Sequence, residues 1–267
     1  MIKLIATDMD GTFLSGHNSY NEQRFEAVFE ELKKREIPLV IATGNNMKRL
    51  RDLFPKHANQ LTFIAENGAQ LVHKGREVFS LFMDKEEQEP LLRFLEERFP
   101  DAQHFLSAGE VTYVLETLPT EQKAFLSQFF TSIEELSHLH QASQVPLYRI
   151  SIQFEDNFEQ NFAEIENYLI GTSFRVVETG FNWLDILPKT VHKAVGLDYL
   201  MTEWQLSPAE VMVFGDSPND LEMLERFEYS YAMANATDAV KAVANFLAPS
   251  HTEDGVLQVL ENVLKEM

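Results

Sequence analysis

The sequence predicts an α/β protein whose parallel sheet is interrupted by an inserted α+β domain. Three observations carry this prediction. Near both ends of the chain, short and mostly apolar runs alternate with amphipathic helical patterns, as in sheets covered on both faces. Between about 84 and 187 the strand-like segments instead alternate apolar and polar residues, the mark of a sheet with one wetter face. Several of the apolar runs stop at Asp, Thr or Gly, and open parallel sheets place their sites beyond the carboxyl ends of their strands.

The elements follow in order. Residues 2–7 form the first apolar run. A helix over 21–35 carries Phe25, Val28, Phe29 and Leu32 on one face, and Ser19 three residues before Glu22 reads as its capping box. Residues 38–42 form the second strand, a helix with Met47, Leu50 and Phe54 follows, and residues 61–65 form the third strand. In the middle, helices marked by Leu91, Leu92, Leu95 and Phe99 and by Phe158, Phe162, Ile165 and Leu169 intersperse with strands. Those strands are expected over 111–115, 147–154, 174–177 and 181–187. After Pro188 the first style resumes with a helix over 193–204, strands over 211–214, 229–233 and 246–248, and a final helix. The expected division is 1–83 and 188–267 for the core and 84–187 for the insert.

Composition removes several classes of function. The chain has 267 residues and a net charge of −20, which repels nucleic-acid backbones and anionic lipid. Over 84–187 there are 19 acids and 6 bases, so the insert carries most of that excess. With no Cys, disulfides, thiolate nucleophiles and cysteine-ligated metals are excluded. No apolar stretch is long enough for a membrane span, and two aspartates interrupt the N-terminal run before a signal peptide could form. The expectation is a soluble cytoplasmic protein acting on a small molecule, without nucleic acid, membrane or obligate protein partner.

Four segments gather chemistry. Asp8-Met9-Asp10-Gly11-Thr12 puts two carboxylates and several N–H groups around one sharp turn after a strand. Like charges that close need a cation between them or a shared proton. Mg²⁺ takes carboxylates together with substrate phosphate oxygens, and Asp216 offers a further ligand from Gly215-Asp216-Ser217-Pro218-Asn219-Asp220. Thr43-Gly44-Asn45 closes the second strand, and Lys193 opens a helix. An EF-hand loop is a poor alternative for the first segment, because Leu14, Gly16 and Ser19 do not supply its ligands.

With these motifs the chain resembles the haloacid dehalogenase-like (HAD) hydrolases, in their Cof-type sugar-phosphatase branch with a large α+β cap. The first motif is Asp8-Met9-Asp10-Gly11-Thr12, the second Ile41-Ala42-Thr43-Gly44, the third Lys193, and the fourth Gly215 to Asp220. Ala65-Glu66-Asn67-Gly68-Ala69 is a further segment typical of the branch. The resemblance implies a Rossmann-like, HAD-like core, an inserted cap that sets substrate specificity, and an Mg²⁺-dependent phosphatase of small phosphomonoesters, sugar phosphates foremost. It implies that Asp8 is the nucleophile, forming an aspartyl phosphate, and that Asp10 is the general acid and base. Asp8, Asp10 and Asp216 would hold the metal, with Ser217 and Asp220 supporting. Met9, Thr43, Gly44, Lys193 and Asn219 would hold the phosphoryl group, and Lys193 would also neutralise charge. A phosphomutase of the same superfamily and a noncatalytic sugar-phosphate sensor are the alternatives.

Asn45 stands where many relatives have Arg, and it reads as subfamily character. Lys48, Arg49 and Arg51 could supply a cation but suit solvent better, and Lys189 competes with Lys193 for the third motif. His138 and His140 lie in a Ser/His/Gln-rich stretch with no carboxylate placed as third ligand, so they read as a surface loop. Trp183 and Tyr148 read as packing residues.

Overall fold

The computed structural model describes residues 1–16, 19–180 and 182–267. They form two compact units: residues 1–45, 53–79 and 192–267, and residues 46–52 with 80–191. The second unit is wider than the 84–187 expected from sequence and takes in 46–52, a segment expected in the core.

The first unit begins with β1 (Leu4–Thr7), α1 (Glu22–Lys34) and β2 (Leu39–Ala42). Next come α2 (Met47–Leu53), most of which groups with the second unit, and β3 (Thr62–Ala65), β4 (Gln70–His73) and β5 (Arg76–Ser80). Helix α1 is capped by Asn21, whose side chain accepts from the Arg24 N–H, in place of the expected Ser19–Glu22 box. Phe25, Val28, Phe29 and Leu32 are its buried face. Strands β1, β2 and β3 are buried at every position, which is why they read as continuous apolar runs.

The second unit contains α3 (Lys85–Arg98), β6 (Gln103–Ala108), β7 (Val111–Leu115), α4 (Thr120–Leu126) and β8 (Ser132–Leu136). It continues with β9 (Arg149–Gln153), α5 (Phe158–Tyr168), β10 (Phe174–Gly180) and β11 (Trp183–Pro188). Phe181, first residue of the strand expected over 181–187, lies outside the described residues. The chain then returns to the first unit with α6 (Lys193–Glu203), β12 (Val211–Gly215), α7 (Leu221–Leu224), β13 (Tyr229–Met233), α8 (Asp238–Val243), β14 (Phe246–Ala248) and α9 (Gly255–Glu266).

The core sheet has the order β14-β13-β12-β1-β2-β3-β4-β5. From β14 to β3 neighbouring strands run parallel, and β4 turns back antiparallel on β3. The antiparallel edge adds two strands to the expected parallel sheet. Lys74 and Gly75, both at positive φ, make the tight turn that lets β5 follow β4.

The second sheet has the order β10-β11-β9-β6-β7-β8, antiparallel except between β7 and β8. One face carries Leu106, Ile150, Ile152, Leu184 and Ile186, packed with Leu91, Leu92 and Leu95 of α3 and Ile165 of α5. The opposite face carries Ser151 and Asp185, and Asp185 accepts from Arg149 Nη1 at 2.8 Å and Ser151 Oγ at 2.6 Å. Tyr148 is buried and Trp183 stacks on Phe105, in keeping with packing roles. No helix among the described residues is long and apolar enough to cross a membrane.

His104 of β6 pairs with Ile152, on the helix-covered face, and is buried. Burial pushes its imidazole from 6.5 down to about 4. In that window the unfolded chain binds a proton that the folded chain refuses, so stability falls as pH drops below 6.5. From pH 7 to 5 this one residue is expected to cost about 2 kcal/mol. His104→Leu should flatten the pH slope, read from urea midpoints at the two pH values. An unchanged slope would show that His104 is not its source.

Candidate active site

Parallel pairing of β1 with β12 sets Thr7 opposite Phe214, so the next residues of both strands emerge side by side. Asp8 follows β1 and donates its N–H to the Phe214 carbonyl at 3.0 Å. The chain then turns over Met9–Phe13 with Gly11 at φ +80°. A Cβ at Gly11 would lie 2.5 Å from Asp216 Oδ2, so only glycine allows this approach. Met9 is buried, Asp10 is exposed, and Thr12 Oγ1 donates to Asp216 Oδ1 at 2.7 Å.

Lys193, the first residue of α6, is buried among these acids. Its Nζ lies 2.6 Å from Asp8 Oδ1 and 2.6 Å from Asp220 Oδ1. Burial opposes its charge, but Asp220 and Asp8 more than reverse that and hold the ammonium well above its ordinary pKa. The competing Lys189 is exposed in the second unit and donates to the Thr172 carbonyl at 2.7 Å. The positioning of α6 depends on Gly68 at φ +106°, where a Cβ would meet the His192 carbonyl oxygen at 2.1 Å.

Asp220 closes the turn Pro218–Asp220. Its Oδ2 accepts from the N–H groups of Asp216 and Ser217 at 3.0 and 3.1 Å, while Oδ1 meets Lys193. Both oxygens are therefore engaged, and Asp220 anchors the loop and the lysine. Ser217 Oγ donates to Asn219 Oδ1 at 2.5 Å, and Asn219 Nδ2 donates to Asn67 Oδ1 at 3.1 Å.

The second motif closes the ring. Thr43 is buried at the end of β2. Its Oγ1 accepts from the Asn45 N–H at 3.2 Å and from Asn45 Nδ2 at 2.9 Å. A hydroxyl that accepts two such bonds has its own O–H left to donate. Asn45 Nδ2 also donates to Asp10 Oδ2 at 2.5 Å. The residue in place of the common Arg thus links Thr43 to Asp10. Lys48 pairs with Asp52, Arg51 with Glu110, and Arg49 lies over the Phe129 ring, all within the second unit.

Two contributors carry no role that the motifs alone assign. Asn67, at φ 56°, donates its N–H to the Thr43 carbonyl at 3.0 Å and receives Asn219. Thr12 orients Asp216. The Asn67-Gly68 pair, a strong positive-φ signal, could have marked the first of these.

The acids carry more negative charge than Lys193 offsets. Asp8, Asp216 and Asp220 each place a carboxylate oxygen within 4.8 Å of the others. Burial raises the Asp8 carboxyl well above its usual range, Lys193 pulls it down, and Asp220 and Asp216 raise it further. Asp216 is raised too, first by burial and then by Asp220, against the Thr12 hydrogen bond. A divalent cation with hard-oxygen preference fits this donor set, and Asp8 and Asp216 are the acids with an oxygen left for it.

Comparison with known proteins places the fold and the site together. The family model for haloacid dehalogenase-like hydrolases matches residues 5–260. The 5-amino-6-(5-phospho-D-ribitylamino)uracil phosphatase YbjI of Escherichia coli K12 is 34% identical over 264 residues, covering 99% of this chain and 97% of that protein. The crystal structure of SMU.1108c from Streptococcus mutans UA159 superposes with a TM-score of 0.91 at 36% identity, covering 99% of this chain and 100% of that one. The HAD subclass IIB sugar phosphatase BT4131 shares the fold, with a TM-score of 0.80 at 21% identity over 98% of each chain. The chain belongs to the haloacid dehalogenase-like hydrolases. Within them it is a phosphatase, a hydrolase of phosphoric monoesters.

Removing the ammonium should unbalance the buried acids. Lys193→Met leaves Asp8 and Asp220 facing each other without a counter-charge and is expected to cost about 3–5 kcal/mol. A urea midpoint equal to that of the wild type would contradict the proposed charge balance.

Proposed function

We propose that the protein hydrolyses small phosphomonoesters, sugar phosphates foremost, through an aspartyl-phosphate intermediate on Asp8. The observation that carries the reading is the meeting of Asp8, Lys193 and Asp216 beyond the ends of β1 and β12. Phosphoryl transfer is chiefly positioning and stabilisation of charge on the phosphoryl oxygens, and such a cluster serves both.

In this reading an Asp8 oxygen forms a bond to phosphorus as the bond from phosphorus to the sugar oxygen breaks. Asp10 gives its proton to the departing alkoxide. It then takes a proton from the water that attacks the aspartyl phosphate, releasing inorganic phosphate and restoring Asp8. Lys193 holds Asp8 in place and offsets its charge. The Thr43 hydroxyl and the amides of Met9 and Gly44 receive the phosphoryl oxygens, with Asn219 ordering the loop. Mg²⁺ would be held by Asp8 and Asp216 with the Asp10 carbonyl, and when bound it supplies charge neutralisation for the phosphoryl oxygens. Asn45 orients Asp10 without adding a positive charge beside it.

We assign substrate choice to the inserted unit, as the family resemblance implies. Its surplus of acids, 19 against 6 bases over 84–187, favours a leaving group without further anionic groups. The named activity of YbjI puts 5-amino-6-(5-phospho-D-ribitylamino)uracil beside the sugar phosphates in the substrate panel.

Phosphate release from that panel is expected to require Mg²⁺ and to vanish in Asp8→Asn. Wild-type turnover in that variant would remove Asp8 as nucleophile, and isomer interconversion outpacing phosphate release would make the enzyme a mutase. Asn45→Ala should lower kcat by up to about a hundredfold with a smaller change in KM, because Asp10 loses its orienting partner. A change confined to KM would instead assign Asn45 to substrate binding.

A further inference from the structure

The second unit holds another constellation of metal-ligating side chains, apart from the acids at the ends of β1 and β12. His138 and His140 flank Leu139 at the start of a short turn, Leu139–Ala142. The carboxylate missing from the local sequence arrives from α3, where Glu96 points at both rings. His138 Nδ1 lies 2.7 Å from Glu96 Oε1, and His140 Nδ1 lies 3.7 Å from Glu96 Oε2. The two imidazoles stack, with centroids 5.3 Å apart and planes at 22°, so their Nδ1 atoms face the same carboxylate. One ligand atom from each of the three residues falls within 4.8 Å of the other two.

The support beneath these groups is rigid. Leu139 and Ala142 are fully buried against α3 residues in the core of this unit. Gln88, also on α3, donates to the carbonyls of Ala142 and Val145 at 2.8 and 3.0 Å. Gln141 Oε1 accepts from the N–H groups of Ser137 and His138, which fixes the backbone that carries the first imidazole. The Leu139 N–H donates to Glu96 Oε2 at 3.0 Å, an outer contact of the kind that orients ligating carboxylates. Each histidine keeps a partly open side, His138 at 61% and His140 at 32% side-chain exposure, so an ion has an entry path.

We infer that Glu96, His138 and His140 form a binding site for a divalent transition metal of the Zn²⁺ class. Two imidazole nitrogens and one carboxylate oxygen are a three-ligand set for zinc, with the fourth position left to water. Imidazole ligands select against Mg²⁺, so this site and the acid cluster of the core differ in the ion they prefer. A bound ion ties the turn at Leu139 to α3 and neutralises part of a strongly acidic unit.

The test is Zn²⁺ titration of the full chain by calorimetry in excess Mg²⁺, which keeps the core acids occupied. The wild type is expected to bind one equivalent of Zn²⁺ more than a His138→Asn/His140→Asn double variant, and Glu96→Gln should lose the same equivalent. Co²⁺ in place of Zn²⁺ should give the visible bands of a low-coordinate site in the wild type and not in the variants. Equal stoichiometry in wild type and double variant overturns the inference. Mg²⁺-dependent phosphate release and circular dichroism check that the variants are folded. If the double variant does not fold, His138→Asn alone decides the question, since its side chain is mostly in solvent and the titration reads the same lost equivalent.

Discussion

The buried pair of contacts made by Lys193 is the constraint on which the candidate active site turns. An ammonium and two carboxylates withdrawn from water lose hydration worth several kcal/mol each, and only close, well-aimed contacts recover it. Here one Nζ meets Asp8 and Asp220 at 2.6 Å each. That arrangement requires α6 to start within reach of β1 and β12 at once. The parallel β1–β12 pair supplies two of the three parts, and Gly68 lets the chain at His192 come close enough to deliver the third.

The same contact couples positions that are far apart in sequence. Asp220 holds the lysine with one oxygen and the backbone of Asp216 and Ser217 with the other, so a shift of α6 would be felt in the loop after β12. Asp216 is in turn fixed by Thr12 from the turn after β1. Asn67 joins Thr43 to Asn219, and Asn45 joins Thr43 to Asp10. The candidate site residues are thereby set by secondary contacts from four chain segments, which is how a site built on loops acquires the precision of the sheet below it.

Much of this was legible from sequence because the strand ends speak plainly. A strand buried on both faces is mostly apolar, so the first Asp or Thr beyond it marks both the end of the strand and the start of the candidate site, as at Asp8, Thr43 and Asp216. Less was legible where one segment gains meaning only from another. The β4–β5 edge was missed because its strands are short, partly exposed and joined by a Lys74-Gly75 turn inside a stretch with no continuous apolar run. Asn45 reads from sequence only as subfamily character, and its bonds to Asp10 and Thr43 depend on a fold that no local pattern encodes. His138 and His140 read as a solvated loop because Glu96 belongs to a helix remote in sequence. The Ser19 cap failed for a local reason: Asn21, nearer the helix, accepts the Arg24 N–H itself.

The balance of charge at the core site has a further consequence for how ligands must enter. Asp8, Asp216 and Asp220 face a single ammonium that is already shared between two of them. A phosphate ester brings more negative charge to a chain at −20, and Lys193, fully buried between its partners, offers it no uncommitted cation. In the proposed reading, binding of the anion and of a divalent cation are then linked, each raising the affinity for the other by the same factor. Burial and their acidic neighbours raise the carboxyls of Asp8 and Asp216, which expresses the same imbalance from the protein's side. Neutral Asn45 beside Asp10 leaves that imbalance in place, because a guanidinium there would relieve part of it and weaken the proposed coupling between metal and substrate.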